Sequence, residues 1–206
     1  MIERTTLKNI NLILKQNLDW NVLDIGCGFT AHERANCVAD VQDLTNFYKD
    51  KKKFILIKNE KLPFKDKEFD FVIASHVIEH VEDFPQFIKE LERISSKGYI
   101  ELPSRLGDNF VFENTTDHIW WFVFDDLKKQ LVACRRNQSI DPFLSVSTGK
   151  KLSNMFRESF VIELSWKDKI DYTINDEFKN NSIKKISFFS IIKKYFSKRL
   201  RKIISK

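Results

Sequence analysis

The 206-residue chain is long enough for one packed domain with a short appendage and too short for two large ones. Hydrophobic residues at 42%, 19 Phe and only 4 Pro argue against bulk disorder, and no run approaches the ~18 apolar residues of a membrane-crossing helix. The formal charge of +6 is uneven: residues 182–206 hold nine Lys and Arg and no acid, which leaves the rest at −3 and argues against a nucleic-acid surface spread over the whole fold.

The opening sequence MIERTTLKNINLILKQ carries charges among its apolar positions and lacks the uninterrupted apolar core of a signal peptide. Leu7, Ile10, Leu14 and Leu18 recur at helical spacing, predicting an amphipathic helix over 4–17. Trp20 to Ile25 reads as a buried strand that stops at Gly26-Cys27-Gly28. A second strand fits Asn36 to Ala39, ending in Asp40, and a third fits Phe54 to Ile57. Leu62 to Glu68 is a loop, and Phe69 to Ser75 is a near-continuous apolar strand of the kind covered on both faces.

Phe84, Phe87, Ile88, Leu91 and Ile94 then mark a helix, with Gly98 read as its stop and Tyr99 to Leu102 as a fifth strand. Further on, Asp125–Val132 reads as a helix, and Phe160–Ile174 as one or two strands turning near Lys167-Asp168. Short strands alternating with helices imply an α/β, Rossmann-like, mostly parallel sheet with helices on both faces, its ligand loops at the carboxyl ends of the strands. The predicted organisation is one domain over 1–181, with core motifs in 20–104 and an acceptor-side insertion at about 105–150, followed by a basic amphipathic helix over 182–206.

The three cysteines, Cys27, Cys37 and Cys134, form no CxxC pair, so reduced thiols and a cytoplasmic protein are expected, not a disulfide framework or a cysteine zinc site. A strand ending in Gly-x-Gly lets backbone approach a ligand closely. The carboxylate of Asp24 at that strand end would repel a pyrophosphate and suit a cationic sulfonium, which favours S-adenosylmethionine over a dinucleotide.

VLDIGCG resembles the first motif of class I S-adenosylmethionine-dependent methyltransferases. LPFKDKEFDFVIASHVIEHVED resembles the matching stretch of that family's Ubie/Coq5-like branch, and ELERISSKGYIELPS its next helix, turn and strand. The resemblance covers about residues 20–104. It implies that Gly26, Cys27 and Gly28 line the methionine part of the cofactor, with Asp24 near its amino group. It also implies that Asp40 binds the ribose hydroxyls, that Leu62 packs near the adenine, and that Ser75 and His76 face the methyl group. Eleven residues between Gly28 and Asp40 are too few for the full helix usual there, so a short helix or a loop is expected. Where many relatives carry an acid for the adenine amino group, this chain has Lys58 and Asn59, of which only Asn59 can accept a hydrogen bond.

His76 and His80 flank Glu79 after the fourth strand, and His118 lies in DHIWWF after the fifth; each is a candidate general base, with a packing or capping role the competing reading for His80. No third ligand lies at recognisable spacing from the His76–His80 pair, so no metal site is expected. Trp120 and Trp121 cannot both enter one core from a regular strand, so one is read either as free to stack on an acceptor ring or as a hydrophobic clamp over a loop edge.

In the tail, Ile186, Phe189, Ile192, Phe196, Leu200 and Ile203 share one helical face with basic residues opposite, the pattern of a helix lying on an anionic membrane surface, with a helix docked on the domain or on a dimer partner, or an RNA-binding arm, as the competing readings. The function expected is methyl transfer, with an oxygen of a glycan, lipid-linked intermediate or small metabolite as acceptor. The alternatives are a catalytically inactive binding module and an RNA methyltransferase; no RNA-binding module is visible.

Overall fold

The computed structural model describes residues 1–175 and 186–204, with no account of the side chains of 202–204. A seven-stranded sheet runs in the order β1-β9-β6-β5-β2-β3-β4. Its parallel centre is β2 (Val22–Ile25), β3 (Cys37–Asp40), β4 (Lys53–Leu56), β5 (Phe71–Ser75) and β6 (Lys97–Pro103). Along it, β9 (Val161–Lys167) pairs antiparallel with β6, and β1 (Ile2–Arg4) antiparallel with β9. Because β2 neighbours both β3 and β5, the chain reverses its direction of travel at β2, and a crevice opens there at the carboxyl ends of the strands.

Alternation along the central strands divides the core in two. Val22, Phe71, Ile73 and Tyr99 pack with Ile10 and Leu14 of α1 (Leu7–Gln16) and with Tyr48 of α2 (Thr45–Tyr48). Leu23, Ile25, Val72, Ala74 and Ile100 point the other way, onto Phe84, Ile88, Leu91 and Ile94 of α3 (Phe84–Ile94). Helices on both faces are therefore the direct result of period-two apolar strands. Asp83 caps α3, its side chain accepting from Gln86 N, and Pro85 falls in the first turn, where its missing N–H is harmless.

Several expectations need correction. Leu18 lies beyond α1 and is 71% exposed, so Ile10 and Leu14, with partly buried Leu7, anchor that helix. α3 ends at Ile94 with Ser95 as its C-cap, and Gly98 sits inside β6, where a Cβ would meet Val72 O at 2.4 Å and the Trp166 indole. Glycine at 98 serves close packing, not helix termination.

Asp125–Val132 is not a helix. β7 (Trp120–Asp125) and β8 (Gln130–Arg135) form an antiparallel hairpin, turned through Lys129 at φ +52° with Asp125 Oδ1 accepting from Leu127 N and Lys128 N. β10 (Tyr172–Ile174) completes a three-stranded sheet with them. Both tryptophans are buried: Trp120 packs on Phe84 and donates to Val81 O, whereas Trp121 turns to the other face and donates to Asp108. Neither is left to stack on a ligand, because the hairpin is covered on both faces.

Around the hairpin lie α4 (Arg105–Phe110), α5 (Asn114–Asp117), α6 (Val146–Met155) and α7 (Arg157–Phe160). The expected boundary between residues 181 and 182 lies outside the described residues, as do 182–185 and 205–206 of the tail. From Phe188 to Ile204 the tail is helical (α8). It starts against the domain through an Ile140–Ile186 bridge and a Phe143–Phe188 stack, while Phe189, Phe196 and Leu200 stay exposed.

Candidate active site

A cavity of about 1020 Å³ opens in the crevice beside β2, at the upper end of the size range of ligand sites. Gly26, Asp40, Asn59, Leu62, His76 and His80 all line it. Residues distant in sequence, from Ile25 to Asp117, meet there, chiefly because parallel strands deliver their carboxyl ends to one edge.

Gly26 leaves β2 at φ +67°, its N–H donating to Ala39 O at 2.7 Å. A Cβ at this position would lie 2.3 Å from Val77 Cγ2, so glycine is required by the loop after β5 as much as by any ligand. Gly28, at φ +48°, has open space where a Cβ would point. Its N–H donates to Asp40 Oδ2 at 2.8 Å, and Gln42 N–H donates to Asp40 Oδ1 at 2.9 Å. The Asp40 carboxylate thus fastens the glycine turn to the end of β3. Each oxygen keeps a further lone pair, and the residue faces the cavity. Val41, Ile57 and Leu62 supply apolar wall nearby, and the Leu62 backbone is held by Glu90 and Arg93 of α3.

Asp24, Cys27, Gly28 and Ser75 stand behind this wall and not on it. Asp24 is buried under the turn and accepts from His32 N–H at 2.7 Å; burial pushes its carboxyl up to about 6 despite that bond. Cys27 packs in the α1-side core, where burial pushes its thiol up to about 11 and leaves it inert. No helix forms between β2 and β3. Phe29 to Ala35 is a loop whose Ala31 N–H donates to Tyr48 Oη.

The far wall carries the histidines. His76 follows β5 with φ +55°, a conformation that costs a non-glycine residue about 1–2 kcal/mol. It is held by two carboxylates: Nδ1 lies 3.2 Å from Glu79 Oε1 and Nε2 3.2 Å from Glu101 Oε1. Burial alone would lower its pKa, but Glu101 and Glu79 outweigh it and raise the imidazole to about 10. Both ring nitrogens thus face carboxylates, which favours the protonated ring and makes His76 a poorer candidate for a general base than His80. Glu101 belongs to a wider buried set with Tyr99, Glu163 and Arg157. A carboxylate within the apolar strand Tyr99-Ile100-Glu101-Leu102 was the signal available in the sequence for it.

His80 ends a 3-10 turn, Ile78–His80, and differs from His76 in this respect. Its Nδ1 contacts Asp117 O at 2.8 Å, a carbonyl that can only accept, so the proton sits on Nδ1 and the Nε2 lone pair is free among the described residues. His118 is drawn beside it, ring centroids 4.6 Å apart, because Ile119 N–H donates to Glu79 O at 2.8 Å. The His118 Nδ1 bonds to the fully buried Asp108, which also receives Trp121 Nε1 and Arg136 Nε. His118 does not line the cavity; it backs His80.

Residues 23–100 match a family model described as a methyltransferase domain. Over 131 residues the chain is 30% identical to the uncharacterized protein MJ0638 of Methanocaldococcus jannaschii, covering 59% of this chain and 54% of that protein. Over 46 residues it is 44% identical to MJ1123 of the same organism, 22% of each chain. The chain thus spans about half the length of the first relative and about a fifth of the second. Among solved structures, the PH0226 protein of Pyrococcus horikoshii aligns with a TM-score of 0.46 at 18% identity, over 79% of this chain and 89% of that one. The matched stretch begins inside β2 and ends inside β6, so it holds the glycine turn, Asp40 and the Leu62 loop, together with the His76–His80 segment. Over residues 23–100 the chain is therefore similar to methyltransferase domains.

Proposed function

We propose that the chain is an S-adenosylmethionine-dependent methyltransferase that methylates an oxygen of a glycan, lipid-linked intermediate or small metabolite. The observation that carries this is one cavity with two unlike walls: the Gly26 turn with Asp40 and an apolar patch on one side, and His80 with a free ring nitrogen on the other. The donor set suits the cofactor. The remaining lone pairs of Asp40 can accept from two vicinal hydroxyls, Val41, Ile57 and Leu62 offer apolar contact to a purine, and Asn59 can accept from its amino group. Asp24, under the turn, sets a negative charge near the methionine end. When bound, S-adenosylmethionine supplies an activated methyl group on sulfonium, so the protein's work is chiefly alignment of donor and acceptor. His80 meets the acceptor hydroxyl.

Calorimetry with S-adenosylmethionine and its demethylated product tests the reading, since an inactive module without cofactor would bind neither. Asp40→Ala is expected to weaken binding by about 1.5–3 kcal/mol, the range for hydrogen bonds to charged groups. Unchanged affinity with lowered thermal stability would reduce Asp40 to a cap for the glycine turn.

For the tail, the exposed Phe189, Phe196 and Leu200 with Lys194, Lys198 and Arg201 on the opposite face support a seat on anionic membrane. No helix among the described residues is long and apolar enough to cross a membrane. Deleting 182–206 is expected to preserve cofactor binding and to abolish most sedimentation with anionic vesicles. In the intact protein that sedimentation weakens with salt. An intact protein that ignores such vesicles, or a truncation that unfolds the domain, sinks the idea.

A further inference from the structure

Three side chains beside the cavity form a cluster that the roles given so far do not explain. One potential ligand atom each from Glu79, His80 and His118 lies within 4.8 Å of the other two. Glu79 is completely buried; its Oε1 contacts His76, and its Oε2 has no hydrogen-bond partner. A buried carboxylate oxygen left unsatisfied is costly, and native proteins rarely keep one without a reason.

Both imidazoles are fixed in the matching sense. Asp117 O holds His80 through Nδ1, and the Asp108 carboxylate holds His118 through Nδ1, so the neutral tautomer of each ring keeps its lone pair on Nε2. A metal-ligating histidine characteristically donates its other ring N–H to a carbonyl or a carboxylate, and one of each is present here. Asp108 is itself oriented by Trp121 and Arg136. The backbone bond from Ile119 N to Glu79 O splices the two halves of the cluster together.

From this geometry we infer that Glu79, His80 and His118 bind one divalent first-row transition-metal ion, with Zn²⁺ the natural occupant. Two imidazoles and a carboxylate suit Zn²⁺, Co²⁺ or Fe²⁺ better than Mg²⁺ or Ca²⁺, which prefer all-oxygen sets. Three protein ligands leave a coordination position open, the arrangement of catalytic and not structural sites. Since His80 lines the cavity, that position faces the acceptor.

This part rests on the methyltransferase reading: the ion holds the acceptor's hydroxyl oxygen and lowers its pKa. The O–H bond breaks with its proton passing to solvent, and the oxygen's electron pair forms the new bond to the methyl carbon. The carbon–sulfur bond breaks as its pair returns to sulfur, giving S-adenosylhomocysteine and the methyl ether. The His80 lone pair is then spent on the ion and not on the proton.

The test is Co²⁺ titration of the chelator-stripped full chain, read by visible d–d absorption and by metal retained after desalting. One Co²⁺ per chain with low-symmetry d–d bands, displaced by Zn²⁺, is expected. In folded His80→Ala the bands are lost, and Asp108→Asn weakens binding by ~10–100-fold, the usual effect of an outer partner. His80→Gln covers the case in which the alanine variant does not fold. Absence of bound Co²⁺ in the wild-type chain, or unchanged bands in either folded His80 variant, overturns the site. S-adenosylmethionine calorimetry on the same samples separates the two ideas: metal binding without cofactor binding refutes the methyltransferase reading alone.

Discussion

Gly26→Val is expected to abolish measurable S-adenosylmethionine binding and to destabilise the protein at once. Two separate penalties act. At φ +67° any L-residue is strained by roughly 1–2 kcal/mol, and a β-branched one by more. In addition, the new Cβ would overlap Val77, whose Cγ2 lies 2.3 Å from its ideal position, and overpacking of this kind costs about 1–3 kcal/mol. Relief requires the glycine turn or the loop carrying His76 and Val77 to move, and both line the cavity. The Val77 contact gives the prediction a sharper form. Gly26→Ala combined with Val77→Ala should bind cofactor better than Gly26→Ala alone, because the overlapping methyls are gone. If the double variant is no better, the glycine is needed for the ligand's space and not for Val77. Normal affinity in a folded Gly26→Val protein would falsify the assigned cofactor wall.

His80→Ala is expected to lower turnover by about 10²–10⁴ while leaving cofactor affinity unchanged. His76 is not expected to substitute, because Glu79 and Glu101 occupy both of its ring nitrogens. His118 cannot reach the cavity without His80. The companion variant His118→Ala tells a free base from a metal-bound centre: with a free base, turnover falls only through lost support of the His80 ring, whereas with a metal it falls as far as in His80→Ala and the Co²⁺ bands vanish together. A loss smaller than tenfold in His80→Ala at saturating substrates would return His80 to a packing role.

The order of the central strands and of the helices α1 and α3 was readable from the sequence alone, because each central strand is a short apolar run and each of these helices keeps its own period. The same holds for the Gly-x-Gly turn after β2 and for Asp40 at the end of β3: their positions follow from strand ends, which are local features. What failed, or could not be read, depends on distant partners. Asp125–Val132 has helix-compatible residues, yet pairing with Trp120–Asp125 and the closing turn at Lys129 override that propensity. Trp120 and Trp121 looked mutually exclusive as core residues until a hairpin covered on both faces buried the pair. Strand β1 was invisible because three residues carry too little pattern, and only the antiparallel edge of β9 gives them a partner.

The joining of Glu79 and His80 to His118, and of His118 to Asp108, spans intervals of 38 and ten positions with no motif to mark them. Spacing rules for metal ligands work when the ligands share one helix or turn. Here a single backbone hydrogen bond between two loops, Ile119 N–H to Glu79 O, brings the third ligand into place, and only the folded chain contains it.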